Sequence, residues 1–263
     1  MAKGYSRLLF VFSSSFIHLF VLSLAQPNFI VQHCSDNNGN YTINSAYETN
    51  LNSLLSSISS NTAIDYGFYN ESSGQEPDKV NAIALCRGDV SLEVCRGCVT
   101  NATQKILQVC PNQKEAIGWY DECMLRYSNN SIFREMETQP QFDLVNTQNV
   151  TGDVSAFNTG LQDLLTNLRN TAASGSSVLK FQTGNTTANF QSIYALVQCT
   201  PDLSADMCSD CLDQVIGEIP SCCSGKIGGR VLTPSCYFRF ELYRFFNSTV
   251  NLLPPPPTEG IDC

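Results

Sequence analysis

CRGDVSLEVCRGC, from Cys86 to Cys98, and CTPDLSADMCSDC, from Cys199 to Cys211, carry one spacing, C-x8-C-x2-C, separated by 113 residues. The same offset relates Cys110 to Cys223 and Cys123 to Cys236. Cysteines that keep one offset over five positions identify a tandem duplication of one small domain. The period is too long for a solenoid.

The duplication extends to apolar residues. Tyr47, Leu51, Leu54, Leu55 and Ile58 repeat as Phe157, Leu161, Leu164, Leu165 and Leu168. This i, i+4, i+7, i+8, i+11 pattern is one stripe on a helix of three to four turns. Asn44 or Ser45 is placed to cap the first helix, and Asp153 or Ser155 the second. A further helix in each copy carries the C-x2-C pair. In copy two its buried face is Cys208, Cys211, Leu212, Val215, Ile216 and Ile219, and Pro220 is expected to stop it.

Strand-like runs are clearest at Val80 to Cys86 and Ile193 to Cys199. Two closing strands are expected at about 115–120 and 122–128, and again at 227–232 and 235–246. In the last, Cys236, Phe238, Phe240 and Leu242 alternate with Tyr237, Arg239, Glu241 and Tyr243, which predicts a half-buried strand with its polar side in water. Each copy is thus expected to be an α+β domain, two helices packed on an antiparallel sheet and stapled by disulfides. At about 100 residues, cross-links matter to its stability.

Lys3 and Arg7, the apolar run from Leu8 to about Leu24 and Ser23-Leu24-Ala25 describe a signal peptide over 1–25. The domains are then 26–136 and 142–247, followed by a Pro-rich tail over 248–263, and no membrane span is expected in the mature chain. With Lys3 and Arg7 removed from 15 basic residues, against 24 acidic ones, the mature formal charge is −11. That argues against nucleic acid as a partner, because phosphate binding needs a basic face. Secretion points the cysteines to disulfides rather than zinc. Sequons at Asn40, Asn70, Asn101, Asn129, Asn149, Asn185 and Asn247 agree with an extracellular, apoplastic destination.

The paired cysteine motifs, with a further cysteine 13 residues before the last, resemble the ginkbilobin-like cysteine-rich repeat family of plants. CTPDL at Cys199 to Leu203 and GGRVL at Gly228 to Leu232 make copy two the nearer match. That family includes seed antifungal lectins, secreted tandem proteins and ectodomains of receptor-like kinases. The resemblance implies bonds Cys34–Cys110, Cys86–Cys95, Cys98–Cys123, Cys199–Cys208 and Cys211–Cys236. In copy two Val145 stands where Cys34 does, so Cys222 and Cys223 are open to pairing with each other or, one of them, with Cys263.

The ginkbilobin-type lectin binds mannose through an Asn after its first cysteine, an Arg six residues before its last and a Glu five after it. The resemblance places these roles on Asn146, Arg230 and Glu241. The matching residues of copy one, Ser35, Ile117 and Ser128, fit none of them. Carboxylate, amide and guanidinium together suit adjacent sugar hydroxyls, which both donate and accept. The plainer reading is a cross-strand Arg230–Glu241 ion pair and an Asn146 turn.

An enzyme is not expected. His33 is the one histidine after the signal segment and reads as a surface residue. Glu241 has no identifiable carboxylate partner for glycoside hydrolysis. No phosphate loop, nucleophile elbow or calcium pattern occurs, so no cofactor or metal is expected. The competing functions are a mannose-binding defence lectin and a protein-interaction module related to receptor ectodomains, with mannose-containing glycans or a cell-surface protein as partner.

Overall fold

The computed structural model describes residues 26–247. The predicted signal segment 1–25 and the tail 248–263, with Cys263, lie outside the described residues.

The first copy runs β1 (Phe29–Cys34), α1 (Ala46–Ser60), β2 (Phe68–Ser73), β3 (Val80–Cys86), α2 (Leu92–Val109), β4 (Glu115–Tyr120) and β5 (Cys123–Ser128). The second runs β6 (Phe142–Val145), α3 (Val154–Ala173), β7 (Lys180–Ala188), β8 (Gln191–Cys199), α4 (Ala205–Gly217), the short α5 (Ile219–Cys222), β9 (Gly228–Leu232) and β10 (Cys236–Glu241). Each sheet is antiparallel and five-stranded, in the orders β1-β4-β5-β3-β2 and β6-β9-β10-β8-β7.

The α1 and α3 stripes are buried throughout. Ser45 caps α1 by accepting from Glu48 N, and Asp153 caps α3 by accepting from Ala156 N. Ser91 and Ser204 cap α2 and α4 in the same way. Every second strand residue meets these helices: Ala82, Ala84, Leu125 and Tyr127 in the first core, and Ile193, Ala195, Val197, Phe238 and Phe240 in the second. Disulfides join Cys86 to Cys95 and Cys199 to Cys208, each tying a strand end to the following helix. Cys98–Cys123 and Cys211–Cys236 tie that helix to the last strand. Cys34–Cys110 binds β1 to the end of α2, and Cys222 bonds Cys223.

The helix-free faces of the two sheets meet. Phe68, Ile83, Leu85, Ile117, Trp119 and Met124 of the first copy form one apolar cluster with Leu232, Phe142, Leu144 and Tyr237 of the second. The layers are therefore helix, sheet, sheet, helix. Polar bonds cross the same boundary. Gln198, fully buried, donates to Cys86 O at 3.0 Å and accepts from Tyr237 Oη at 2.8 Å. Asp202 accepts from Arg134 N, and Asp89 from Asn247 N.

Three sequence expectations need correction. The last strand ends at Glu241, not near 246, because the chain then turns across the sheet face: Phe246 is buried and the Phe245 ring lies 4.2 Å from the Arg239 guanidinium. The polar side of that strand does not face water, since it faces the first domain, and Arg239 and Glu241 are buried. Pro220 does not stop the cysteine-bearing helix. That helix ends at Gly217, and Pro220 sits in the first turn of α5, where a missing N–H costs no hydrogen bond.

The Cys34–Cys110 bond closes the longest loop, with a sequence separation of 76. The double variant Cys34→Ser/Cys110→Ser is expected to lower first-domain stability by about 4 kcal/mol in the chain-entropy account. Denaturant unfolding followed by near-UV circular dichroism measures it.

Candidate functional site

The resemblance-implied triad lies on the helix-free face of the second sheet. Asn146 directly follows β6, and its N–H donates to Gly228 O at 2.9 Å. Gly228 faces Glu241 across the β9–β10 pairing, and Arg230 faces Arg239. Asn146 and Glu241 therefore share one row across the sheet, and Arg230 stands in the next. A Cβ on residue 228 would collide with the Glu241 carboxylate, so glycine is what lets that side chain lie flat over β9.

Shared placement does not make them a set. Arg230 and Glu241 bond other partners. Arg230 Nη1 lies 2.5 Å from Asp121 Oδ1, contributed by the β4–β5 turn of the first domain. Arg239 also reaches that oxygen, at 3.2 Å, and grips Glu241 Oε1 through Nε and Nη2 at 3.1 and 3.0 Å. Tyr243 Oη lies 3.2 Å from Arg239 Nη2, and the Phe245 ring stacks on the guanidinium. Asn146 is half-buried, and its Oδ1 accepts from Gln148 N, closing a local turn. Only about 30 Å3 of space remains around Arg230, Arg239 and Asp121.

The electrostatics follow from this packing. Burial disfavours the charged Asp121, but Arg230 and Arg239, with bonds from Arg230 and Asn28, outweigh it and hold the carboxyl below the usual aspartate range. Burial pushes the Tyr237 phenol well up, leaving it a neutral donor to Gln198. The key residue that the sequence did not single out is Asp121. Its position corresponds to Pro234 in the other copy, so no repeat signal marked it.

In copy one Ile117 joins the apolar seam and Ser128 is fully buried, while Ser35 N donates to Glu115 O. His33 is half-buried on β1 opposite Ile117, not a free surface residue. Among the sequons, Asn40, Asn70, Asn149, Asn185 and Asn247 are exposed. Asn149 Oδ1 accepts from Lys226 Nζ. Asn101 lies inside α2 and accepts from Tyr120 Oη at 2.9 Å, and Asn129 is half-buried.

Tandem sheets stapled through C-x8-C-x2-C and joined face to face define a class of tandem cysteine-rich modules. The chain belongs to the family described as salt stress response/antifungal, whose pattern matches residues 33–130 and 145–243. It is 43% identical over 226 residues to cysteine-rich repeat secretory protein 38 of Arabidopsis thaliana, covering 86% of this chain and 89% of that one. It is 45% identical over 254 residues to cysteine-rich receptor-like protein kinase 25 of the same plant, covering 94% of this chain and 38% of the kinase. The chain thus spans little more than a third of its kinase relatives. The fold matches the tandem DUF26 ectodomains of the Arabidopsis cysteine-rich receptor-like proteins PDLP8 and PDLP5. The TM-scores are 0.69 and 0.68 and the identities 24% and 30%, over 81% of this chain and 98% of each ectodomain. Among the described residues no helix is long and apolar enough to cross a membrane.

Two outcomes are expected here. A lowered Asp121 pKa contributes stability that is present above the ordinary carboxylate range, near pH ~4, and lost as pH falls through the lower folded value. Acid unfolding scans should show a shallower loss of stability in Asp121→Asn than in the unaltered chain. Gly228→Ala, which must displace Glu241 from Arg239, should destabilise by about 1–3 kcal/mol, read by thermal unfolding.

Proposed function

We propose that this protein is a secreted, non-catalytic recognition module of the plant stress and defence type, whose two domains act as one rigid unit. In this reading Arg230 and Glu241 hold that unit together and do not bind sugar. The observation that carries it is the 2.5 Å Arg230–Asp121 pair across the domain boundary. A saccharide at the triad would have to displace Asp121 from Arg230 and Arg239 from Glu241. Either exchange leaves a partly desolvated charge without its partner, which costs more than one hydroxyl contact returns. The secretory relative, covered over 89% of its length, supports an extracellular setting.

Mannose binding through Asn146, Arg230 and Glu241 is the second reading, favoured by their common face and adjacent rows. Isothermal titration of the intact chain with mannose and short mannans separates the two. The recognition reading expects Arg230→Gln and Glu241→Gln to lower the melting temperature and leave any saccharide affinity unchanged. Asp121→Asn should cost about 1.5–3 kcal/mol of stability, the scale of a charge-assisted bond. A tenfold loss of mannose affinity in Arg230→Gln and Glu241→Gln at unchanged melting temperature would establish the triad as a sugar site.

A further inference from the structure

The outer side of α2, away from both sheets' facing surfaces, carries a groove. Pro27, Val94, Gly97, Thr100, Asn101 and Gln104 line it, and its volume is about 590 Å3. Ligand pockets span roughly 300–1,000 Å3. The exposed wall is more apolar than polar, and Val94 is 46% exposed. Positions 93, 97, 100 and 104 follow helical spacing, so α2 supplies one bank as a single stripe. The segment before β1 supplies the other, pinned where Asn28 N donates to Glu122 Oε2 at 3.0 Å. Glycine inside a helix is unfavourable relative to alanine. An added Cβ on residue 97 would meet no atom within 4 Å. The chain's own packing gives no reason for glycine there, whereas keeping the groove open does.

Asn101 stands one turn after Gly97 on the same side of the helix. Its two amide atoms are used unequally. Oδ1 accepts from Tyr120 Oη at 2.9 Å. Burial raises the Tyr120 phenol to about 12, so it stays a donor, and the Phe29 ring packs edge-on against it at 5.1 Å. Nδ2 bonds no acceptor among the described residues and is not buried. The carbonyl oxygen is thus held against β4, and the nitrogen is left on the groove side. Asn101-Ala102-Thr103 is also a sequon. At the repeat offset Gly97 and Asn101 are matched by Asp210 and Gln214, so the second copy has neither the glycine nor the sequon.

We propose that a glycan linked to Asn101 lays its first N-acetylglucosamine into this groove and bridges α2 to the segment before β1. The bond forms between Asn101 Nδ2 and the anomeric carbon of a lipid diphosphate-linked oligosaccharide. The bond from that carbon to the diphosphate oxygen breaks, and the lipid diphosphate leaves. Nδ2 gives up one proton to a base of the transferase. Thr103 is buried and its hydroxyl donates to Thr100 O at 2.9 Å, so a transferase meets the open sequon only before α2 forms. The acetamido methyl and the C–H face of the sugar suit Pro27, Val94 and the bare backbone at Gly97. Gln104 offers its hydroxyls both a donor and an acceptor. This is an internal contact of the glycoprotein, separate from any recognition of free sugar. It rests on the recognition reading only for its passage through the secretory route.

The test uses the intact chain secreted from cultured plant cells. Peptide mapping after enzymatic deglycosylation in isotope-labelled water is expected to find Asn101 occupied. NMR of the glycoprotein is expected to find contacts between the acetamido methyl and Val94. Thr103→Ser keeps the sequon and Thr103→Val removes it. The two are compared with and without Gly97→Trp, which fills the groove with a ring and meets no clash at its Cβ. The effect of changing the buried side chain at 103 is common to both backgrounds and cancels. The melting-temperature gap between occupied and bare forms should be about 2–4 °C larger without Gly97→Trp than with it. A bare Asn101 beside other occupied sequons overturns this proposal alone. So does an occupied Asn101 with no contact to Val94, or with equal gaps in the two backgrounds. Bare asparagines at every sequon overturn this proposal and the secreted setting together.

Discussion

Asp121, shared between Arg230 and Arg239, is the interaction on which the joined arrangement turns. Each sheet buries one face under its own helices and presents a second face rich in both apolar and charged groups. Guanidinium groups on such a face cannot be covered by another domain without a partner, because desolvating an unpaired charge is costly. One carboxylate from the β4–β5 turn supplies that partner for two guanidinium groups at once. With the charges met, Leu232, Phe142 and Leu144 close against Ile117 and Trp119, and Gln198 reaches the Cys86 carbonyl. Gly88 marks how close this approach is, since a Cβ there would run into the Phe181 ring of the other domain.

Duplication left the two copies with one scaffold and two uses of the same face. The equivalent arginines, 126 and 239, each hold two carboxylates, but the chain after the last strand takes different courses. After β10 it lays Phe245 over the guanidinium and buries Phe246. After β5 it carries Ile132 into the apolar seam and brings Glu137 to Arg126, leaving a cavity open. The vicinal Cys222–Cys223 bond accompanies a valine at 145 in place of cysteine, so β6 is held by strand pairing and by Phe142 and Leu144 in the seam where β1 is covalently anchored.

The helices were legible from residues, because a 3.6-residue period over Leu51 to Ile58 or Leu161 to Leu168 has no competing explanation. So were β3 and β8, whose apolar runs end at cysteines, and the closing strands. β2 and β7 were not, since edge strands bury one side weakly and FYNESS and KFQTGNTTA read as polar turn sequence. β6 has four residues and no room for a period. The extent of β10 was misjudged because alternation from Cys236 to Tyr243 continues past the point where the backbone leaves the sheet.

Sequence by itself determined the duplication, the helix faces and the cysteine spacing of each copy, because spacing and periodicity are local properties of a chain; the disulfide pairing and the set Asn146, Arg230 and Glu241 were implied by the family resemblance. Tertiary structure alone decided what those positions touch. Tyr237, Arg239 and Glu241 look like a solvated strand face until a second sheet is laid on them, and no local pattern records that a partner surface will exclude water there. Asp121 and Arg230 are 109 residues apart. Their pairing depends on how two folded domains dock, and that is set by burial and charge compensation over whole faces.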